Sequence, residues 1–173
     1  MRKLWILLPM ILLLTACSQA KTLETVSDPV EITVLPEPQQ IILELPEGAN
    51  APVLQSDTAG KVYMHDDYVI SVQTLEGGDL DRTLLSCSGF TRNQMALMQT
   101  QQKDAKRYDG VFVAAGEGAQ QVGRICVLDD GDYHYVVTMM TDDSHAGKLQ
   151  ETIQNVFSSI RLIPADVDLN TGS

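Results

Sequence analysis

The sequence predicts an α+β domain built as an antiparallel sheet covered by helices on both faces. Three observations lead there. β-rich runs recur from Gly60 onward, separated by short turn signals. The longest, "QQVGRICVLDDGDYHYVVTMMT", reads as a hairpin that is apolar on both faces. Two other segments switch to helical spacing, one after Asp79 and one ending near Ile160.

Taken in order, "KVYMHD" and "YVISVQTLE" are strands that flank Asp66 and Asp67, a hairpin turn. In "GGDLDRTLLSCSG", Asp79 is suited to cap a helix and Gly89 to stop it. Leu80, Leu84 and Cys87 fall on one face of that helix. "QMALMQTQQ" fits helix or strand, and strand is favoured because a short link leads into "KRYDGVFVAAGE". In the long hairpin, Asp130-Gly131 is the turn, since glycine accepts a positive φ. A two-residue turn pairs Leu128 with Tyr133, Cys126 with Tyr135 and Arg124 with Val137 on one face. Ile125, Val127, His134 and Val136 take the other face, and both need cover. The last helix, capped by Asp143 or Ser144, offers the stripe Leu149, Ile153, Val156, Phe157 and Ile160. Beyond Pro164, "ADVDLNTGS" is a polar tail.

The N-terminus is organised differently. Arg2 and Lys3 precede an apolar run, Leu4 to Leu14, too short to span a bilayer. It exits through Leu14-Thr15-Ala16-Cys17. These 17 residues resemble the signal peptide and lipobox of bacterial lipoproteins. The resemblance implies cleavage before Cys17, with diacylglycerol on its thiol. It also implies residence on the extracytoplasmic side of a bacterial cell membrane. Two acyl chains supply the stable anchoring that one chain lacks. Ser18, rather than Asp, follows the cysteine and permits transfer to an outer membrane where the host has one.

The expected organisation is therefore a signal peptide over 1–16, a lipidated tether over 17–58, the α+β domain over 59–164 and a flexible tail over 165–173. The tether reading rests on Pro29, Pro36, Pro38, Pro46 and Pro52, five of the seven prolines. An alternative makes Gln40–Leu45 an edge strand, because Ile41, Leu43 and Leu45 alternate.

Charge limits the partners. Removing 1–16 leaves 10 basic against 23 acidic residues, a net charge of −13. That excludes nucleic acid, which needs a basic patch, and disfavours docking on anionic headgroups. Of three cysteines, Cys17 goes to lipid. Cys87 and Cys126 remain as an even pair in an oxidising compartment. The expectation is a disulfide between them, with two buried thiols as the alternative. That bridge places the first helix on the face of Cys126, Tyr133 and Tyr135.

Candidate chemistry is thin. "DDGD" at Asp129–Asp132 lacks the ordered oxygens of a calcium loop. "DDSH" at Asp142–His145 reads as helix-start chemistry rather than a zinc site. His65 and His134 sit singly in strand patterns. There is no Gly-x-Ser-x-Gly elbow, and "AGEGAQQ" lacks the lysine of a phosphate cradle. Glu76 and Asp79 form a carboxylate pair of the kind an acidic surface gives by chance. No metal or cofactor is expected.

Three stretches, "GKVYMHDDYVISVQTLEGG", "VLDDGDYHYVV" and "VFSSIRL", together resemble α/β sandwich domains of the PsbP-like type in element order and texture. That resemblance implies a binding or assembly role without catalysis. The expected function is a membrane-anchored surface lipoprotein with an envelope protein or small ligand as partner. The alternatives are an envelope or cell-wall hydrolase with an unrecognised site, or a small-molecule carrier.

Overall fold

The structure is a computed structural model that describes residues 34–52, 54–56, 60–115 and 119–167, with 54–56 as backbone. The expected signal peptide, Cys17 and residues 168–173 of the expected tail lie outside the described residues.

The described chain is mostly sheet, with three α-helices. Seven antiparallel strands run in the order β2-β3-β4-β8-β7-β6-β5. They are β2 (Leu54–Ser56), β3 (Gly60–Met64), β4 (Tyr68–Glu76), β5 (Ala96–Gln102), β6 (Ala105–Ala115), β7 (Gln120–Asp129) and β8 (Tyr133–Asp142). A separate antiparallel pair joins β1 (Gln40–Ile42) to β9 (Arg161–Ile163). The helices are α1 (Leu80–Ser88), α2 (Asp143–Ala146) and α3 (Gln150–Ser159). No helix among the described residues is long and apolar enough to cross a membrane.

Strand alternation sorts the core into two clusters. On β7, Cys126 and Leu128 join Tyr135, Val137, Met139 and Ile70, and α3 adds Ile153, Val156 and Phe157. The intervening Ile125 and Val127 join Val136, Tyr108 and Phe112, and α1 adds Leu80 and Leu84. α1 forms as its sequence requires. Asp79 accepts from the Asp81 N–H at 2.9 Å. Gly89, at φ 78°, closes the C-terminus with its N–H on the Leu85 carbonyl.

Four expectations need correction. First, the stretch read as tether is not wholly outside the fold. The compact unit begins at Leu35, and β1 and β2 lie within 17–58. Ile41 and Leu43 pack against the α3 cluster, so apolar alternation outweighs proline content there. Second, the hairpin register is shifted by two. Leu128 pairs with Tyr135 and Cys126 with Val137. The loop is longer because side chains capture it. Asp129 Oδ1 accepts from Gly131 N at 2.9 Å, and Asp130 Oδ1 from Tyr133 N at 2.8 Å. An even shift leaves every side chain on its expected face. Third, the last helix is broken. α2 ends at Ala146, before Gly147, and α3 starts after Leu149. Glycine is a weak helix former, and the break still delivers the Leu149, Ile153, Val156 and Phe157 stripe.

Fourth, Cys87 and Cys126 form no disulfide, and both are free. Cys126 belongs to the α3 cluster, whereas Cys87 packs with the α1 cluster. Adjacent residues of β7 point to opposite faces, so the sheet itself separates the two sulfurs. α1 consequently lies on the Ile125, Val127 and Val136 face, not on that of Cys126 and Tyr135. Native thiol labelling without reductant should modify Cys87 while sparing Cys126 until the protein unfolds. Reductant should leave the unfolding midpoint unchanged. A midpoint lowered by reduction would restore the bridge.

A cross-strand pair sets the spacing inside the α1 cluster. Phe112 lies opposite Gly123, and a Cβ on Gly123 would run into the Phe112 ring. Gly123→Ala should destabilise by about 1–3 kcal/mol in denaturant unfolding, as overpacked cores do. Combining it with Phe112→Leu should recover part of that loss. An unaffected single variant would show that the ring has room to move.

Candidate functional site

Four places gather polar or exposed apolar groups, and each can be built from its residues.

The first is the β5 edge of the sheet. β5 pairs only with β6 among the described residues, in an unbroken register from Ala96↔Val111 to Gln102↔Ala105. On the α3 side, cover stops at Arg124, whose guanidinium sits 5.1 Å from the Phe157 ring centroid. Arg124 pairs with Val111, and from there outward β6 and β5 leave apolar side chains exposed on this face. Met98 is 60% exposed, Val113 47% and Val111 40%. Ala96 lies opposite Val111, which makes these residues one stripe across two strands. On the α1 side, the same edge borders an open groove of about 290 Å³ lined by Arg92, Met95, Leu97, Gln99 and Tyr108. Arg92 is held there by Asp81 at 3.0 Å.

The second is a histidine pair. His65 Nδ1 lies 3.8 Å from Asp67 Oδ2, and His145 Nδ1 lies 3.6 Å from Asp67 Oδ1. The His65 ring stacks on Tyr68 at 4.6 Å. The tight β3–β4 turn brings Asp67 back over His65, whose Nδ1 accepts the Asp67 N–H at 3.1 Å. That occupies the lone pair a metal would take. Among the described residues, no group of three or more His, Cys, Asp or Glu side chains converges to hold a metal ion. The arrangement brings α2 beside the β3–β4 turn, with His145 Nδ1 buried and making no hydrogen bond among the described residues.

The third is buried. His134 Nδ1 and Thr83 Oγ1 are 2.7 Å apart, and His134 Nε2 is 3.9 Å from Asp129 Oδ1. The order of groups matches a hydroxyl–imidazole–carboxylate relay, but His134 and Thr83 are both buried. What the contact does is fasten α1 to β8 with a satisfied polar pair.

The fourth is the β7–β8 loop. Asp130 Oδ2 accepts from Tyr135 Oη at 2.9 Å and from Gln39 Nε2 at 3.1 Å. Tyr135 Oη in turn accepts the Gln39 N–H at 2.9 Å, and Tyr133 Oη donates to the Pro36 carbonyl at 2.7 Å. Asp130, Tyr133 and Tyr135 are therefore a clasp for residues 36–39. Burial pushes the Asp130 carboxyl up. Hydrogen bonds from Tyr133, Tyr135, Gln39 and Asp132 outweigh it, and the net pKa is lowered.

The remaining sequence candidates are structural. Asp79 caps α1, and Glu76 ends β4 opposite Tyr133. Of "AGEGAQQ", residues 116–118 lie outside the described residues, and Ala115 pairs with Gln120 across them. Burial pushes the Cys126 thiol up to about 12, which leaves it inert. Burial also raises the Cys87 thiol, against a lowering hydrogen bond from Ser86. A second cleft, of about 60 Å³, lies between Gln39, Gln102, Leu128 and Leu162. It is far smaller than the several hundred Å³ typical of small-molecule sites.

No family model matches the chain, and no curated protein does. Among solved structures it is similar to a Bacteroides thetaiotaomicron VPI-5482 protein at 10% identity and a TM-score of 0.49. That match covers 73% of this chain and 46% of the other, so this chain spans under half of that length. It is similar to cyanobacterial PsbP (CyanoP) from Synechocystis sp. PCC 6803 at 12% identity and a TM-score of 0.47, covering 81% and 100%. It is also similar to the Saccharomyces cerevisiae Ran-binding protein Mog1p at 14% identity and a TM-score of 0.46, covering 73% and 96%.

Sequence reasoning missed the His65–Asp67–His145 and Thr83–His134 contacts, because each joins residues distant in the chain or separated by a turn. The uncovered β5 edge had a signal, the charge-free run "ALMQTQQ". Asp130 supplies the testable electrostatic element. Its lowered folded pKa means its clasp stabilises fully above the ordinary carboxylate value, about 3.9, and fades as pH falls through the folded value. Asp130→Ala should cost about 1–3 kcal/mol. At one pH it should speed hydrogen exchange at the Gln39 amide while leaving β7 and β8 protected, and acid should lower the protection factor of Gln39 in the unchanged protein once the intrinsic pH dependence of exchange is divided out. Equal exchange at Gln39 in both proteins would refute the clasp.

Proposed function

We propose that this protein is a bacterial lipoprotein anchored through diacylglycerol on Cys17, at the extracytoplasmic side of a membrane. In this reading residues 1–16 are removed, and the chain from Cys17 links the lipid to a domain that starts near Leu35. That domain is of the PsbP-like type, a sheet with a helix over each face. It binds another protein of the envelope and does not catalyse a reaction.

The anchor reading is supported by Leu14-Thr15-Ala16-Cys17 behind a short apolar run. The binding reading is carried by one observation, the stripe of Met98, Val111 and Val113 left bare beside Arg124. Scattered exposed apolar residues are ordinary. A contiguous row on neighbouring strands of a strongly acidic protein marks a surface that is covered in use.

Fractionation of intact cells tests both halves. Cys17→Ser should move the protein from membranes to the soluble fraction or leave it unprocessed. Unchanged fractionation and migration would remove the anchor. Val111→Glu should keep the anchor and collapse the detergent-solubilised complex to the size of the free protein on native gels. A complex of unchanged size would remove the binding role.

A further inference from the structure

The sheet's two edges differ. β2 is three residues long, a short edge of the kind that resists pairing. β5 is seven residues, about 23 Å at strand rise, and has none of the usual guards. It carries no charge and no proline, and its register with β6 has no bulge. Its outer row of backbone donors and acceptors has no strand partner among the described residues.

Charge around this edge is opposite to the rest of the protein. The chain's net charge is −11, yet Gly89–Ala115 holds four basic residues against two acidic ones. Arg107 is neutralised by Asp109 at 2.7 Å and Arg92 by Asp81 at 3.0 Å, which leaves Lys103 and Lys106 against the single aspartate Asp104. Lys103 and Lys106 are exposed beside the end of β5.

We propose that β5 takes an extended acidic segment of a partner protein as an eighth, added strand of the sheet. Backbone pairing along the edge supplies affinity, and side chains alternate between two sides. One row rests on Met98 and the stripe behind it. The other enters the groove lined by Leu97, Gln99 and Tyr108. Lys103 and Lys106 meet the segment's carboxylates and steer its approach. A second copy of this chain fits less well, because two basic hairpins would face each other. The inference rests on the binding role above and names the partner's chemistry.

The test uses the full mature chain, isotope-labelled in detergent, with two synthetic peptides of about ten residues. One alternates valine with glutamate, the other valine with lysine. The glutamate peptide should shift the amide signals of β5 and bind more tightly than the lysine peptide. The double variant Lys103→Glu, Lys106→Glu should weaken it at least about tenfold. Equal binding of the two peptides, or shifts that spare β5, would overturn the proposal. So would β5 signals that move with protein concentration alone, which would give the edge to a second copy. The Val111→Glu complex assay reads partner binding over the stripe, whether or not the partner adds a strand to β5. A complex lost there, with no glutamate-peptide binding at β5, would leave the binding role standing and remove the acidic strand.

Discussion

The hairpin of β7 and β8 is apolar on both faces, and that single constraint organises the domain. Ile125, Cys126, Val127 and Leu128 are consecutive and all buried, as are Tyr135, Val136 and Val137. A strand sends neighbouring side chains to opposite sides, so no single layer can cover such a run. Each large apolar side chain removed from water contributes about 1.5–3 kcal/mol, enough that leaving either face wet would offset the stability of a domain this size. α1 brings Leu80 and Leu84 to one cluster, and α3 brings Ile153, Val156 and Phe157 to the other.

Polar fastenings then fix where each helix sits. Thr83 and His134 bind α1 to β8 in a place where neither group can reach water. On the other side Arg107 holds Asp109 through two nitrogens and donates to the Phe157 carbonyl at 2.7 Å. Gln102 adds a bond to the Ile160 carbonyl at 2.8 Å. These contacts satisfy the carbonyls at the end of α3, which otherwise have no helical partner. Burial alone would disfavour the Arg107 charge, and hydrogen bonding to Asp109 overrides it. Their net contribution is modest when made and expensive when broken, so they specify position more than they add stability.

Cover on the α3 side ends before the sheet does. α3 is ten residues long, about 15 Å, and Arg124 over Phe157 marks where its shadow stops. The bare stripe is a consequence of that mismatch between a short helix and a wide sheet, and the unguarded β5 edge lies beside it. Function in this reading is located where the core's own logic runs out, on a surface whose charge departs from the rest of the molecule.

What the sequence by itself determined was local. Asp79 and Gly89 bound α1 through short-range cap geometry, and the alternation in β7 and β8 assigned each side chain to its face. Even the hairpin register, displaced by two, kept those faces, since the strand period is two. Tertiary structure decided which helix takes which face, and so overturned the Cys87–Cys126 pairing, because that pairing depends on the side of the sheet to which α1 returns. It also drew Gln40–Ile42 into the fold by pairing with Arg161–Ile163, some 120 residues along the chain. His65, Asp67 and His145 meet for the same reason. Short-range preferences act over a few residues and can be read in a line, whereas a face, an edge or a contact between distant residues exists only once the sheet has closed around its core.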